Sequence, residues 1–233
     1  MKIAYLLGSL NRGGTETLML DVFRNAEIND LDAIGVYRKS GVLESEFASS
    51  GVKIFFMPVK NLFVYIFRLR SLLLTNQIAI AHAQQPLDAF FAYLACLFTN
   101  IKVVLSLHGY DFTETRFSAI MLRIVLKITC VNVYVSDSQR NYYTQKYKLK
   151  SIKQHTVYNG ISFDKLKVDK TSKIRQELNI DKEACLIGSV GNFVPGRDQL
   201  TICKFLSELH KAKNEFHFLF IGKRNEQTPE RYD

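Results

Sequence analysis

The chain has 233 residues, 47% of them hydrophobic and 12% aromatic, which excludes a disordered or low-complexity protein and allows one large domain or two modest ones. Its 31 basic residues against 22 acidic ones give a net charge of +9, which favours phosphorylated substrates, anionic lipid or nucleic acid without choosing among them. Cys96, Cys130, Cys185 and Cys203 form no Cys-x-x-Cys pair, so a thiolate zinc site and a disulfide frame are excluded, and the residues read as reduced, core-packing cysteine in a cytosolic chain.

The first element organises the rest. Ile3 to Leu7 reads as a short buried strand, followed by a loop carrying Gly8, Gly13 and Gly14 and then a helix with apolar positions at Leu18, Val22, Leu20 and Phe23. Adjacent glycines where a helix begins admit close approach of a bound group. The exposed N–H groups and the positive end of the helix dipole would favour an anion such as a phosphate. A tight strand-to-helix turn is the alternative for the same residues. The dinucleotide fingerprint is not met, because the spacing differs and the next strand ends in Tyr37-Arg38 rather than an acidic residue. A P-loop is absent, since no Gly-Lys-Ser/Thr occurs. The apolar run after Lys2 is too short for a signal peptide, and longer apolar stretches are broken by charge, so no membrane-spanning segment is expected.

Strand-like runs then alternate with helix-length segments: Asp32 to Tyr37, Val52 to Met57, Ile78 to Ala83, Lys102 to Leu107, Val131 to Val135 and Gln154 to Tyr158. Helices are expected over about 42–49, 62–75, 87–99, 115–128 and 138–147. Continuously apolar strands alternating with helices imply an α/β fold with a parallel sheet covered on both faces. Residues 164–183 are charged and read as a connector with a short helix near Ser172 to Leu178. A new strand–helix–strand follows at Cys185 to Val190, Gln199 to Leu209 and Phe216 to Ile221. The division expected is thus a first domain over 1–163, a connector over 164–183 and the start of a second domain over 184–233.

Taken in order, Gly13-Gly14-Thr15-Glu16, Leu107-His108-Gly109, Val135-Ser136-Asp137-Ser138, Val157-Tyr158-Asn159-Gly160-Ile161 and Gly188-Ser189-Val190-Gly191 resemble glycosyltransferase family 4, retaining sugar-nucleotide transferases of the GT-B fold. The resemblance implies two Rossmann-like lobes facing each other across a cleft, the first holding the acceptor and the second the nucleotide-sugar donor. It implies that Gly13 and Gly14 lie beside the donor diphosphate and His108 near the transferring sugar, as the catalytic candidate. Glu16, Asn159 and Asn192 become candidate donor or acceptor contacts, and Asn159-Gly160 is expected as a turn with φ > 0. Of the basic pair that neutralises the diphosphate in the family, Arg197 supplies one member, while Asn192 stands where the other is usual. Retention through an oxocarbenium-like transition state is implied, with no cofactor and no metal. Asp30-Leu31-Asp32 precedes a strand, at the end of the sheet away from ligands, and reads as a solvated turn.

Two segments suit a membrane surface. Lys60 to Leu74 interleaves Phe63, Tyr65, Ile66, Phe67 and Leu72 with Arg68 and Arg70, and Arg116 to Ile128 sets Arg123 and Lys127 among apolar residues. Apolar helices covering a sheet read the same way. The expectation is a cytoplasmic glycosyltransferase, peripheral to an anionic membrane, that uses a nucleotide sugar and a glycan or lipid-linked acceptor. A non-catalytic nucleotide or glycan module is the alternative. Nucleic acid is not an expected partner, since the basic residues are spread along the chain without a binding motif. The family's paired-glutamate segment does not occur after Gly191, so the 233 residues alone are expected to transfer no sugar.

Overall fold

In the computed structural model, the structure describes residues 1–110, 115–160, 173–191, 199–212 and 215–222. The chain divides into two units, Met1–Phe163 and Asp164–Asp233.

The first unit is built on seven strands, β1 (Ile3–Leu7), β2 (Ala33–Tyr37), β3 (Lys53–Phe56), β4 (Ile80–Ala83), β5 (Lys102–Leu107), β6 (Val131–Tyr134) and β7 (Gln154–Thr156). They alternate with helices α1 (Gly14–Arg24), α2 (Glu44–Ala48), α3 (Leu62–Thr75), α4 (Pro86–Cys96), α5 (Arg116–Ile128) and α6 (Asp137–Tyr147). All neighbours pair in parallel in the order β3-β2-β1-β4-β5-β6-β7. The chain therefore steps outward from β1 to β3, then returns to place β4 on the other side of β1. In an open parallel sheet the crevice at such a reversal, beyond the carboxyl ends of the strands, is where ligands bind.

Alternation along the strands builds two cores. Ala4, Leu6, Ile34, Val36, Ala81, Ala83, Val103, Leu105, Leu107 and Tyr134 pack with α3 to α6. Tyr5, Leu7 and Tyr37 pack with α1 and α2 on the opposite face. In α1 the buried residues are Met19, Leu20 and Phe23, so Leu18 and Val22 sit at the margin of the core face rather than at its centre. In α5 the core takes Leu122, Val125 and Leu126. A buried polar network joins β6 to β7: Asn132 Nδ2 and the Tyr134 hydroxyl both donate to Gln154 Oε1, at 3.2 and 2.6 Å. Satisfied in this way, the buried amides hold one register.

The second unit contains α7 (Ile174–Glu177), β8 (Leu186–Val190), α8 (Gln199–Ala212) and β9 (His217–Ile221), with β8 and β9 parallel. Gly191 closes β8 with φ +148°, a backbone angle that favours glycine, and donates to Ile221 O at 2.7 Å.

Two expectations need correction. Of the cysteines only Cys96 is buried; Cys130 lies in the exposed turn between α5 and β6, and Cys203 on the exposed side of α8. Asn159 and Gly160 are exposed and neither has positive φ, because the chain leaves the edge strand β7 without a turn.

Candidate functional site

The helices of the first unit differ in how their starts are capped. The side chains of Asn61, Thr115 and Ser136 cap α3, α5 and α6 by accepting from Val64 N, Ser118 N and Gln139 N. Leu43 supplies no such bond to α2, nor do Gly13 and Gln85, the N-caps of α1 and α4. Helices α1 and α4 begin beside the strand-order reversal, so the first N–H groups of α1 are left without a side-chain acceptor where a ligand would enter. A Cβ on Gly14 would meet nothing within 4 Å, and its φ is not positive, so neither packing nor backbone angle requires glycine there. A Cβ on Gly13 would come within 2.5 Å of Glu16 Oε2, so the Glu16 carboxylate folds back over the loop. An anion arriving at Gly13 must displace that carboxylate.

The loop itself is clamped from the neighbouring strand. Leu10 is fully buried, its N–H donates to Lys39 O at 3.1 Å, and its carbonyl accepts from Leu43 N at 2.9 Å. Gly41 lies against it so closely that a Cβ would stand 2.2 Å from Asn11 N. Across the reversal, a Cβ on Gly8 would be 2.3 Å from Gln85 Oε1, so the Gln85 carboxamide lies over the start of the loop. Arg38, directly after β2, reaches the start of α4, where its Nε is 2.5 Å from Asp88 Oδ1 and both side chains are largely buried. Burial pushes the Asp88 carboxyl up, and the Arg38 guanidinium pulls it back.

His108 follows β5 directly. Its Nε2 is 2.8 Å from Oε1 of Gln84, the residue after β4. The turn behind it is pinned from α6, where Gln139 Nε2 and the Tyr143 hydroxyl both donate to Gly109 O, at 2.6 and 3.1 Å. His82 pairs with Ser106 Oγ at 2.8 Å. Burial lowers His108, and burial with the nearby His108 lowers His82 to about 4, so both rings are neutral at pH 7. Gln84, Gln85, Pro86, Leu107, His108 and Tyr143 line part of a cavity of about 340 Å³. A larger cavity, of about 830 Å³, in the second unit borders Cys185, Phe216 and His217, at the amino ends of β8 and β9, away from a carboxyl-end crevice.

Gly13, Gly14, Glu16 and His108 thus share the carboxyl end of the sheet near the reversal. Asn159 lies beyond β7, four strand spacings from β1, or about 19 Å. Arg197 and Asn192 lie outside the described residues. Sequence reading missed Gln84, Gln85 and Gly41. The Gln-Gln-Pro run was the available signal, because proline at the first helical position marks where the polar pair must stand; Gly41 carried none. Among the described residues no group of acidic, histidine and cysteine side chains could hold a metal, and Asp32 pairs with Lys2 at 3.6 Å. No helix among them is long and apolar enough to cross a membrane.

On the outer side of α3, Phe63, Phe67 and Arg68 are exposed, as are Phe117, Ile120, Arg123 and Lys127 on α5. Arg70 is not a surface cation: its Nη1 donates to Ala95 O and Leu97 O at 2.9 and 2.6 Å, at the end of α4.

A comparison with curated proteins finds no match. Solved structures do match. A glycosyltransferase from Rickettsia africae superposes with TM-score 0.76 at 19% identity, covering 99% of this chain and 62% of that one. Anabaena HepE in complex with UDP gives 0.70 at 15%, covering 99% and 71%. Sucrose-phosphate synthase from Thermosynechococcus elongatus gives 0.69 at 12%, covering 100% and 65%. The chain thus spans about two thirds of the length of these proteins, and at such identities the likeness is one of fold. The sequence profile described as Glycosyltransferase Family 4 matches residues 12–165, more than half of the chain. The chain belongs to glycosyltransferase family 4.

Proposed function

We propose that the protein takes part in transferring a sugar from a nucleotide-sugar donor to a glycan or lipid-linked acceptor, with retention at the anomeric carbon. One observation carries this reading: α1 starts beside the strand-order reversal without a side-chain cap, at Gly14, where an added Cβ would meet nothing within 4 Å and the backbone is open to a close-approaching ligand. Backbone N–H groups and the helix dipole stabilise diphosphate charge as it develops on the leaving group. Arg197 supplies a second positive group on this reading, and no metal or cofactor is needed. His108 stands near the transferring sugar, where a neutral ring can accept a hydroxyl proton or stabilise charge. The acceptor oxygen attacks the anomeric carbon, the sugar–phosphate bond breaks, and a donor phosphate oxygen takes the acceptor proton. That Anabaena HepE was solved with UDP and with UDP-glucose supports a nucleotide-sugar ligand for this fold.

The exposed aromatic and basic residues of α3 and α5 suit an anionic membrane carrying a lipid-linked acceptor, with the protein at its cytoplasmic face. Both helices pack into the same core with α4 between them, so the two patches share one side of the sheet.

A thermal-shift panel of nucleoside diphosphates and nucleotide sugars tests the reading. A binder at 100 times its Kd stabilises by about 2.7 kcal/mol and raises the midpoint. Gly14→Val should lose that rise while its ligand-free midpoint stays near wild type. No response to any nucleotide, with a salt-sensitive response to oligonucleotides, would overturn it.

A further inference from the structure

Gln84 is the first residue past β4 and only 4% exposed. Its backbone N–H donates to Leu6 O at 3.1 Å, so the residue is tied to β1. Its side chain crosses the other way, to β5, with Oε1 2.8 Å from His108 Nε2. A carboxamide oxygen has no proton to give. The ring nitrogen must therefore be the donor, which puts the proton of the neutral imidazole on Nε2 and leaves a bare lone pair on Nδ1. His82 is different: its partner is the Ser106 hydroxyl, which can donate or accept, so that bond fixes no tautomer.

Two polar atoms of this pair are unmatched. His108 Nδ1 and Gln84 Nε2 are buried side-chain atoms without a hydrogen-bond partner among the described residues. Buried polar groups are normally paired, and leaving one unmade costs free energy. Here an acceptor and a donor are left over on two residues that touch each other and line one cavity. A ligand with several hydroxyls is complementary, because each hydroxyl can donate to a ring nitrogen or accept from an amide.

We propose that Gln84 is a positioning residue for His108: its Oε1 takes the Nε2–H and holds the ring in the tautomer whose Nδ1 accepts from a hydroxyl. The Gln84 N–H groups then serve a neighbouring oxygen of the same ligand, a sugar. Only the identity of that ligand rests on the transferase reading; the fixed tautomer does not.

The test is the two-bond proton–nitrogen NMR spectrum of the 233-residue protein labelled with ¹⁵N-histidine, the His108 signals being assigned by their loss in His108→Gln. At pH 7 the wild type should show a neutral ring with a proton on Nε2 and none on Nδ1. Gln84→Leu should mix the two tautomers. Gln84→Glu places a carboxylate against the Nε2–H and should raise the proton affinity of the ring about 10- to 1000-fold. His82 is the titratable neighbour, so its signals are followed in every spectrum. A wild-type ring carrying the proton on Nδ1, or charged at pH 7, would overturn the proposal even if both variants failed to fold. A folded Gln84→Leu variant with the wild-type His108 spectrum would overturn it as well. Because no substrate is added, a failure of the transferase reading shows up in the thermal-shift panel and a failure of this inference in the tautomer.

Discussion

Gly41 lies outside the glycine loop, yet the loop depends on it. An added Cβ would stand 2.2 Å from Asn11 N and from Leu10 C, and 2.3 Å from Leu10 O. These are backbone atoms, which cannot swing aside like the tip of a side chain. Ordinary contact begins at 3.4 Å, so the two segments must separate by over an ångström. That strains the bonds Leu10 N to Lys39 O and Leu43 N to Leu10 O, and lifts the fully buried Leu10 from its place. Overpacking costs about 1–3 kcal/mol and each weakened backbone bond about 1, so Gly41→Ala should destabilise by about 2–4 kcal/mol. Gly14→Ala is the matched control. Its Cβ meets nothing within 4 Å at the first residue of α1, so it should be neutral or stabilise by about 0.4–1 kcal/mol through the unfolded chain. Urea unfolding followed by circular dichroism measures both, with the slope checked for constancy. A Gly41→Ala variant within about 0.5 kcal/mol of wild type would refute the clamp. So would a Gly14→Ala variant as unstable as Gly41→Ala.

Removing Arg38 leaves Asp88, 1% exposed, without its cation, so Arg38→Ala should cost about 3–5 kcal/mol, while an apolar pair at both positions should recover most of it; equal loss in the double variant would count against the pairing. His82, held at about 4 against 6.5 unfolded, contributes stability that is complete above pH 6.5 and falls by about 3 kcal/mol as pH drops to 4. His108 acts in the same direction and the raised Asp88 in the opposite one, so the check is whether His82→Gln flattens the slope of unfolding free energy over that window. Anionic vesicles should bind the protein at low salt and release it at high salt, each basic residue near the surface contributing about 1 kcal/mol. Replacing Arg68, Arg123 and Lys127 with Gln should weaken sedimentation with vesicles, whereas Arg70→Gln should cost stability instead; equal binding to neutral vesicles would contradict the electrostatic account.

Much of the fold was legible in the sequence because it is locally encoded. Apolar runs such as Lys102 to Leu107, alternating with helix-length segments, can bury their backbones only in a parallel sheet covered on both faces. Paired glycines after the first strand likewise mark the start of α1. What the sequence left open depends on strand order. Gln84 and His108 are 24 residues apart and meet because β5 pairs beside β4, while Arg38 and Asp88 are 50 apart and meet because β4 returns beside β1. Nothing in the letters around Gly41 announces that Leu10 will lie against it, since close approach of two backbones has no periodicity to read. The same limit applies to α3 and α5. Their apolar residues look alike in sequence, and only packing against α4 and the sheet decided that Leu69 and Val125 are core while Phe67 and Phe117 face outward. Composition sets how much apolar surface a helix carries; which part of it is buried is set by the neighbours that the topology brings.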